Sequence, residues 1–429
     1  MAQKSDSTTS SGPFQGLRVV EMTTAIQGPA AGVYLSDMGC AVTKIEPPLG
    51  ELNRYLRGPD FEHPMHVAGA QYGSMNRGKR SVCLDVHTPL GGSVVNKLLD
   101  EADVFLTNFR RSALERMGFG YEVLRERNPR LIYAAVNGFG PRGPDADKAM
   151  LDGAAQARGG LTNLSGPADG PPMPAGAAIA DSTGAMQLVL GIVTALYDRE
   201  RTGRGQKVET SALGAQLWLQ MWEILHSSMT GVPLQRSGPH LPTLLGPWGV
   251  YATADGGAFF FGVAMDEASW DALWIFAERP EIAIDPRWNT PAKRLGSTGS
   301  RDGVEEIRSA LRDAFAVKTT AEWEAFLATQ PEIIFERVQG YDEVLRDEQI
   351  LANDYLTTLD LPHVGPTQYV GNLVHLSETP GAVQGPPPGL GEHTGEVMRS
   401  LGFDDDAIRD VEEQAARVRG EMIRTLVGH

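Results

Sequence analysis

Four stretches of this chain carry residue types suited to holding an anionic molecule and transferring a group. They are Asn76-Arg77-Gly78-Lys79-Arg80-Ser81, then Asn108-Phe109-Arg110 with Arg116-Met117-Gly118 close behind, then Asn137-Gly138-Phe139-Gly140-Pro141-Arg142-Gly143-Pro144, and finally Asp152 through Gly159-Gly160 to Ala180-Asp181-Ser182-Thr183-Gly184. Arg and Lys at such places can hold phosphates, and Phe109 or Met117 can stack on an aromatic base. One arginine alone is more often a solvated surface charge; recurrence at successive strand ends is what carries the reading. Asp181 stands just ahead of a long apolar segment, so it is expected at a helix N-terminus. There the helix dipole and free amides favour an ionised carboxylate, as a carboxylate nucleophile requires. The same position also suits an ordinary capping aspartate.

These groups need a frame that brings them together, and the apolar pattern supplies one. Gly16–Met22 reads as a buried strand, the turn around Gly28-Pro29-Ala30-Ala31-Gly32 leads to helical spacing over Val33–Met38, and Ala41–Glu46 reads as a second strand. Strands over Ser81–Asp85, Asp103–Asn108 and Leu131–Val136 alternate with helices over Pro89–Ala102 and Tyr121–Arg127. This is a doubly wound parallel sheet, whose strand ends converge on one edge where ligands bind. Thr183–Arg199 reads as a helix apolar nearly all round, hence buried on all sides. From about residue 228 the chain turns to Gly, Pro and aromatic residues, with a hairpin at Asp255-Gly256-Gly257. The expected plan is a tail at 1–13, an α/β part at 14–228, a smaller α+β domain at 229–325 and a return to the large domain at 326–429.

Composition narrows the class of partner. With 429 residues, 41% of them hydrophobic, the chain is long enough for two or three domains. Its net charge of −16 argues against a general nucleic-acid binder, though not against a local basic pocket. Two cysteines, Cys40 and Cys83, make neither a disulfide framework nor a metal pair. The polar start lacks a secretory core, and the mostly apolar run Met186–Tyr197 is shorter than the ~20 residues that span a bilayer. A cytoplasmic protein with no membrane partner and no metal is expected. Nicotinamide binding, with Glu46 on ribose hydroxyls, is disfavoured: Gln27-Gly28-Pro29-Ala30-Ala31-Gly32 is not G-x-G-x-x-G, and Pro29 has no amide hydrogen for a pyrophosphate.

From Gly16 to about Leu401 the chain resembles the class III CoA-transferases, which include formyl-CoA transferase, carnitine CoA-transferase and the α-methylacyl-CoA racemases. The resemblance is carried by Leu17-Arg18-Val19-Val20-Glu21, Gly39–Glu46, Asn76–Ser81, Asn108-Phe109-Arg110, Arg116-Met117-Gly118, Asn128–Tyr133, Thr202–Val208 and Gly389–Thr394. It implies a large Rossmann-like domain built from both chain ends, a smaller domain, and an interlocked ring-shaped homodimer. It also implies that Asp181 attacks an acyl-CoA thioester, giving an aspartyl anhydride and then an aspartyl-CoA thioester, with coenzyme A thioester as substrate and no permanently bound cofactor. Gln27 matches a glutamine that contacts the reacting acyl group. Lys79, Arg80, Asn108, Phe109, Arg110, Arg116 and Met117 become the expected CoA contacts.

Two rivals share this fold. A racemase needs a His–Asp pair; Asp181 matches its aspartate, but its His should immediately precede the position of Asp152, and that position is Leu151. Leucine moves no proton. A CoA-binding partner subunit without turnover is disfavoured by the presence of Asp181. Asp152 is expected either to orient substrate and assist proton movement or to cap a helix. Leu151, together with the stiff Ser237-Gly238-Pro239-His240-Leu241-Pro242 segment in place of a glycine-rich flap, argues against formyl-CoA and oxalate as the natural pair. Succinyl-CoA is an example of a suitable donor, and Arg54, Tyr55, Arg57, His63 and His66 are candidate contacts for an acid substrate.

Overall fold

The apolar runs assemble side by side. A computed structural model describes residues 12–56, 69–264, 266–294, 303–362 and 364–427; Arg57, His63 and His66 lie outside the described residues. The strands β1 (Arg18–Met22), β2 (Ala41–Glu46), β3 (Arg80–Cys83), β4 (Val104–Thr107), β5 (Ile132–Asn137) and β6 (Lys207–Ser211) form one parallel sheet in the order β3-β2-β1-β4-β5-β6. Every neighbouring pair runs parallel. The order reverses between β1 and β4, the place where a doubly wound sheet opens a crevice at its carboxyl edge.

Both faces of the sheet are covered, which explains why the strands read as continuous apolar runs. Val19, Val42, Val104, Leu106 and Ile132 point to one face and pack on α1 (Gln27–Asp37) and α6 (Ile179–Thr202), through Leu35, Leu188 and Ile192. Alternate residues Val20, Met22, Ile45, Val82 and Phe105 point to the other. They meet α2 (Pro89–Asp100) and two helices from the far end of the chain, α8 (Thr394–Ser400) and α9 (Asp405–Val427). Short helices α3 (Arg111–Arg116), α4 (Tyr121–Arg127) and α5 (Asp152–Arg158) follow β4 and β5, and α7 (Ala212–Leu219) follows β6.

The outer edge of β3 is closed by the C-terminal part of the chain. Ser81 N donates to His393 Nδ1 (3.2 Å), Cys83 N to Thr394 Oγ1 (3.0 Å), and Gly391 N to Ser81 Oγ (2.9 Å). An otherwise open strand edge is thereby satisfied.

The chain divides into two compact units. The first comprises Met1–Gly159, Ala177–Leu219 and Leu345–His429 and holds the parallel sheet, so it is built from both chain ends. The second comprises Gly160–Gly176 and Gln220–Val344. Its three antiparallel strands, Gly249–Ala252, Ala258–Ala264 and Ile333–Arg337, back onto an aromatic core of Trp270, Trp274, Trp323, Phe259, Phe261 and Phe315. Phe315 and Trp323 stack at 4.2 Å.

Helix α6 departs from the sequence expectation in three ways. It begins at Ile179, so Asp181 sits within its first turn instead of before it. It is not buried on all sides: Met186, Leu190 and Tyr197 are each about two-thirds or more exposed. Its 24 residues also make it long and apolar enough to cross a membrane, but half of its apolar window is buried inside the fold, as in a core helix.

Candidate active site

A cavity of about 740 Å³ opens at the carboxyl edge of the sheet in the first unit, beside the β1–β4 switch point. Thr24, Ala25 and Gln27 come from the end of β1, Asn108, Phe109, Arg110 and Arg111 from the end of β4, and Val136, Asn137, Met150 and Leu151 from β5 and the loop after it. Asp181 reaches the same cavity from α6. Three of the four sequence segments, distant along the chain, thus contribute to one space.

Asp181 is 8% exposed and its carboxylate has no hydrogen-bond partner among the described residues. Burial first, and the negative charge of Asp152 second, push its pKa up to about 6. The amides at the start of α6 are not free, contrary to expectation. Asp152 Oδ1 accepts from Ala180 N (2.7 Å) and from Asp181 N (2.9 Å), and Gln156 Nε2 donates to Asp152 Oδ2 (2.5 Å). Asp152 therefore caps the helix that carries Asp181, across a gap of 28 to 29 residues. The result is a carboxylate still largely ionised at neutral pH but more basic, and so more nucleophilic, than an exposed aspartate.

Gln27 is the first residue of α1 and 4% exposed, yet its Nε2 has no hydrogen-bond partner among the described residues. Gly184 lies one turn after Asp181, and a methyl group there would overlap Gln27 Nε2. The glycine lets the amide lie against α6 close to the carboxylate. Such a buried, unsatisfied donor costs about 1–3 kcal/mol unless a partner arrives.

The expected cationic contacts divide sharply. Arg110 lines the cavity and makes no ion pair among the described residues; Phe109 lines it as well. Arg116 is exposed and Met117 packs on the core, neither lining the cavity. Lys79 is a correction. Its ammonium is fully buried, donating to Glu21 Oε1 (3.0 Å), Pro29 O (2.9 Å) and Asn76 Oδ1 (3.1 Å), which uses all three of its hydrogens. Burial brings its pKa down to about 8, against the pull of Glu21. Arg80 is likewise turned away, toward Glu396 (2.7 Å). Asn108 lines the cavity, but both ends of its amide bind the backbone of Thr24.

Arg54 is a second correction. Its guanidinium grips Glu46 through Nε (2.7 Å) and Nη2 (2.6 Å) and lies over the Tyr72 ring, so it is not free for an acid substrate. Glu46 is held by Arg54, Tyr72 and Ser81, which removes it from any role on a ribose. Tyr55 spends its hydroxyl on Leu49 O (2.6 Å). Lys148, which sequence reasoning missed, lines the cavity and faces the Phe139 ring at 5.6 Å without an ion pair among the described residues. A single lysine in a polar loop carries no signal of its own. Among the described residues no group of three or more His, Cys, Asp or Glu is placed to hold a metal.

The family model "CoA-transferase family III" matches residues 14–394. The chain belongs to this family. The transferase is 32% identical to the formyl-CoA:oxalate CoA-transferase of Streptomyces avermitilis, over 92% of this chain and 97% of the relative. It is 32% identical to the succinyl-CoA–D-citramalate CoA-transferase of Chloroflexus aurantiacus (95% and 98% covered) and 31% identical to the succinate–glutarate CoA-transferase of Agrobacterium fabrum (91% and 96%). A CaiB/BaiF family protein from Brucella suis has the same fold, with a TM-score of 0.81 at 27% identity, covering 91% of this chain and all of that one. The transferase is thus an enzyme of the CoA-transferase type, in a family whose members act on CoA thioesters.

Proposed function

We propose that this enzyme moves CoA from succinyl-CoA or a similar acyl-CoA to a small carboxylic acid, with Asp181 as the covalent carrier. The observation that supports it is the Asp181 carboxylate, buried, without a hydrogen-bond partner among the described residues and still ionised at neutral pH, facing a cavity beside an unsatisfied amide. An Asp181 oxygen attacks the thioester carbonyl carbon; the C–S bond breaks and CoA leaves as thiolate, giving a mixed anhydride. The thiolate attacks the Asp181 carbonyl, releasing the donor's carboxylate and leaving an aspartyl-CoA thioester. The acceptor carboxylate then attacks the aspartyl thioester carbonyl, expelling CoA as thiolate and forming a second anhydride. The thiolate attacks the acceptor's acyl carbon to give the new thioester and free the Asp181 carboxylate. Each step exchanges one C–O or C–S bond for another, with no net proton or electron. Gln27 Nε2 donates to the oxyanion formed at each attack. Arg110 and Lys148 take CoA phosphates, and Phe109 lies against the CoA.

Succinyl-CoA is favoured as donor because several relatives are named for succinyl-CoA or succinate. Leu151, 79% exposed and lining the cavity just before Asp152, favours an acceptor with an apolar face over oxalate. The racemase alternative lacks its base: among the described residues no histidine lines the cavity. We also propose that the enzyme works as a homodimer, with the exposed Met186, Leu190 and Tyr197 of α6 and Leu217 and Trp218 of α7 covered by a second copy. The test is incubation with succinyl-CoA and a panel of carboxylic acids, with hydroxylamine or borohydride trapping. An adduct on Asp181 and its loss in Asp181→Ala are expected. α-Proton exchange of 2-methylacyl-CoA without acyl transfer overturns the reading, as does CoA binding with neither reaction.

A further inference from the structure

The unsatisfied amide of Gln27 has to be held in place, and the residues ahead of it are not at rest. Ala25, two positions before Gln27, has φ +67°, in the left-handed region that a side chain disfavours. Left to local preference this loop would relax and carry the start of α1 with it. What opposes that is Asn108, at the end of the adjacent strand β4. Its Oδ1 accepts from Thr24 N (2.9 Å) and its Nδ2 donates to Thr24 O (2.7 Å). The side chain so reproduces the double pairing that a residue of an antiparallel strand would make, which the parallel neighbour β4 itself cannot. The reversed amide would set donor against donor, so the orientation is determined by its partner. Two hydrogen bonds from one side chain to one backbone residue oppose relaxation of the Ala25 conformation.

Packing ties the same residue to the helix itself. A Cβ at Gly28 would meet Thr23 Cγ2 at 2.6 Å and Asn108 Cγ at 3.2 Å, so Asn108 lies directly against the first turn of α1, next to Gln27. We infer that Asn108 is a positioning residue: it clamps Thr24, holds Ala25 in its left-handed conformation, and thereby sets the Gln27 amide against the reacting acyl oxygen at Asp181. The inference rests on the reading of Gln27 as an oxyanion donor. It replaces the expectation that Asn108 serves as a CoA contact.

The experiment is a double-mutant cycle of Gln27→Ala and Asn108→Ala in the full-length enzyme, with the acyl-CoA and acid pair that the substrate panel identifies. Misplacement by about 1 Å is enough for losses approaching a hundredfold. Asn108→Ala is therefore expected to lower kcat about tenfold to a hundredfold while leaving the KM for acyl-CoA within about twofold. The double variant is expected to be no slower than Gln27→Ala by more than about twofold, because both changes act through one group. If Asn108→Ala does not fold, Asn108→Asp keeps the shape and the bond from Thr24 N and is read for the same kcat-against-KM split. A raised acyl-CoA KM with unchanged kcat, or losses that multiply in the double variant, overturns the clamp while leaving Gln27 as donor. An unchanged kcat in Gln27→Ala overturns the donor reading and the clamp with it.

Discussion

Replacing the Asp181 carboxylate by an amide should abolish turnover and at the same time strengthen the fold, by an amount that depends on pH. The pKa of this acid is raised from 3.8 to about 6, mainly by burial and then by Asp152. Ionising it therefore costs the folded state: the cost is absent below the unfolded value and complete above the folded one. A shift of that size corresponds to at most about 3 kcal/mol at pH 7.5 and about 1 kcal/mol at pH 4.5. Asp181→Asn carries no charge at either pH and keeps the side-chain shape. It should gain about 3 kcal/mol over the parent at pH 7.5, shrinking to about 1 kcal/mol at pH 4.5. Urea unfolding of both proteins at equal concentration and both pH values measures the difference. A variant no more stable than the parent at pH 7.5, or a gain independent of pH, would refute the account of Asp181 as a carboxylate held at an energetic cost.

The other expectations concern the groups around it. Asp152→Asn keeps the acceptor for the α6 amides but removes the smaller of the two causes that raise Asp181, so the acid limb of the kcat/KM–pH profile should move down by less than about one unit; an upward move contradicts it. Gly184→Ala should displace the Gln27 amide and lower kcat by about tenfold or more with CoA-ester affinity retained, and an unchanged kcat would show that the close approach is not needed. Lys79→Met leaves Glu21 with Lys44 as its remaining buried cation and should cost on the order of 3 kcal/mol in unfolding experiments without raising the acyl-CoA KM. A raised KM at unchanged stability would return Lys79 to the ligand.

Much of the sheet was legible because parallel strands covered on both faces show as unbroken apolar runs. The strand β6, Lys207–Ser211, was not, since an edge strand with Lys207, Glu209 and Thr210 has no such run. The start of α1 was hidden by Gly28-Pro29, which reads as a turn although proline is at home in a first helical turn. At the site, Asp181 and Gln27 were found through the family resemblance, and Arg110 through its place at a strand end. The misjudged residues share one cause. Lys79 and Arg54 read in sequence as cations free for a ligand, but Lys79 meets Glu21 of β1, 58 residues away, and Arg54 folds back onto Glu46 at the end of β2, pairings that exist only in the folded chain. The fit of Gly184 against Gln27, and the grip of Asn108 on Thr24, are likewise contacts between elements that no local pattern encodes.

The cover on the β3 edge has a consequence in time. Cys83 and the Thr394 that satisfies it are 311 residues apart. A ribosome adding about 5–20 residues per second needs roughly 15–60 s to make the intervening chain. Throughout that interval the nascent sheet presents a bare strand, together with the apolar face that Val397, Met398, Ile408 and Val411 will later fill. Productive synthesis of this enzyme is therefore a matter of keeping one growing edge from meeting another, and the step that ends the danger is the arrival of residues 391–411, not the folding of the first hundred and fifty.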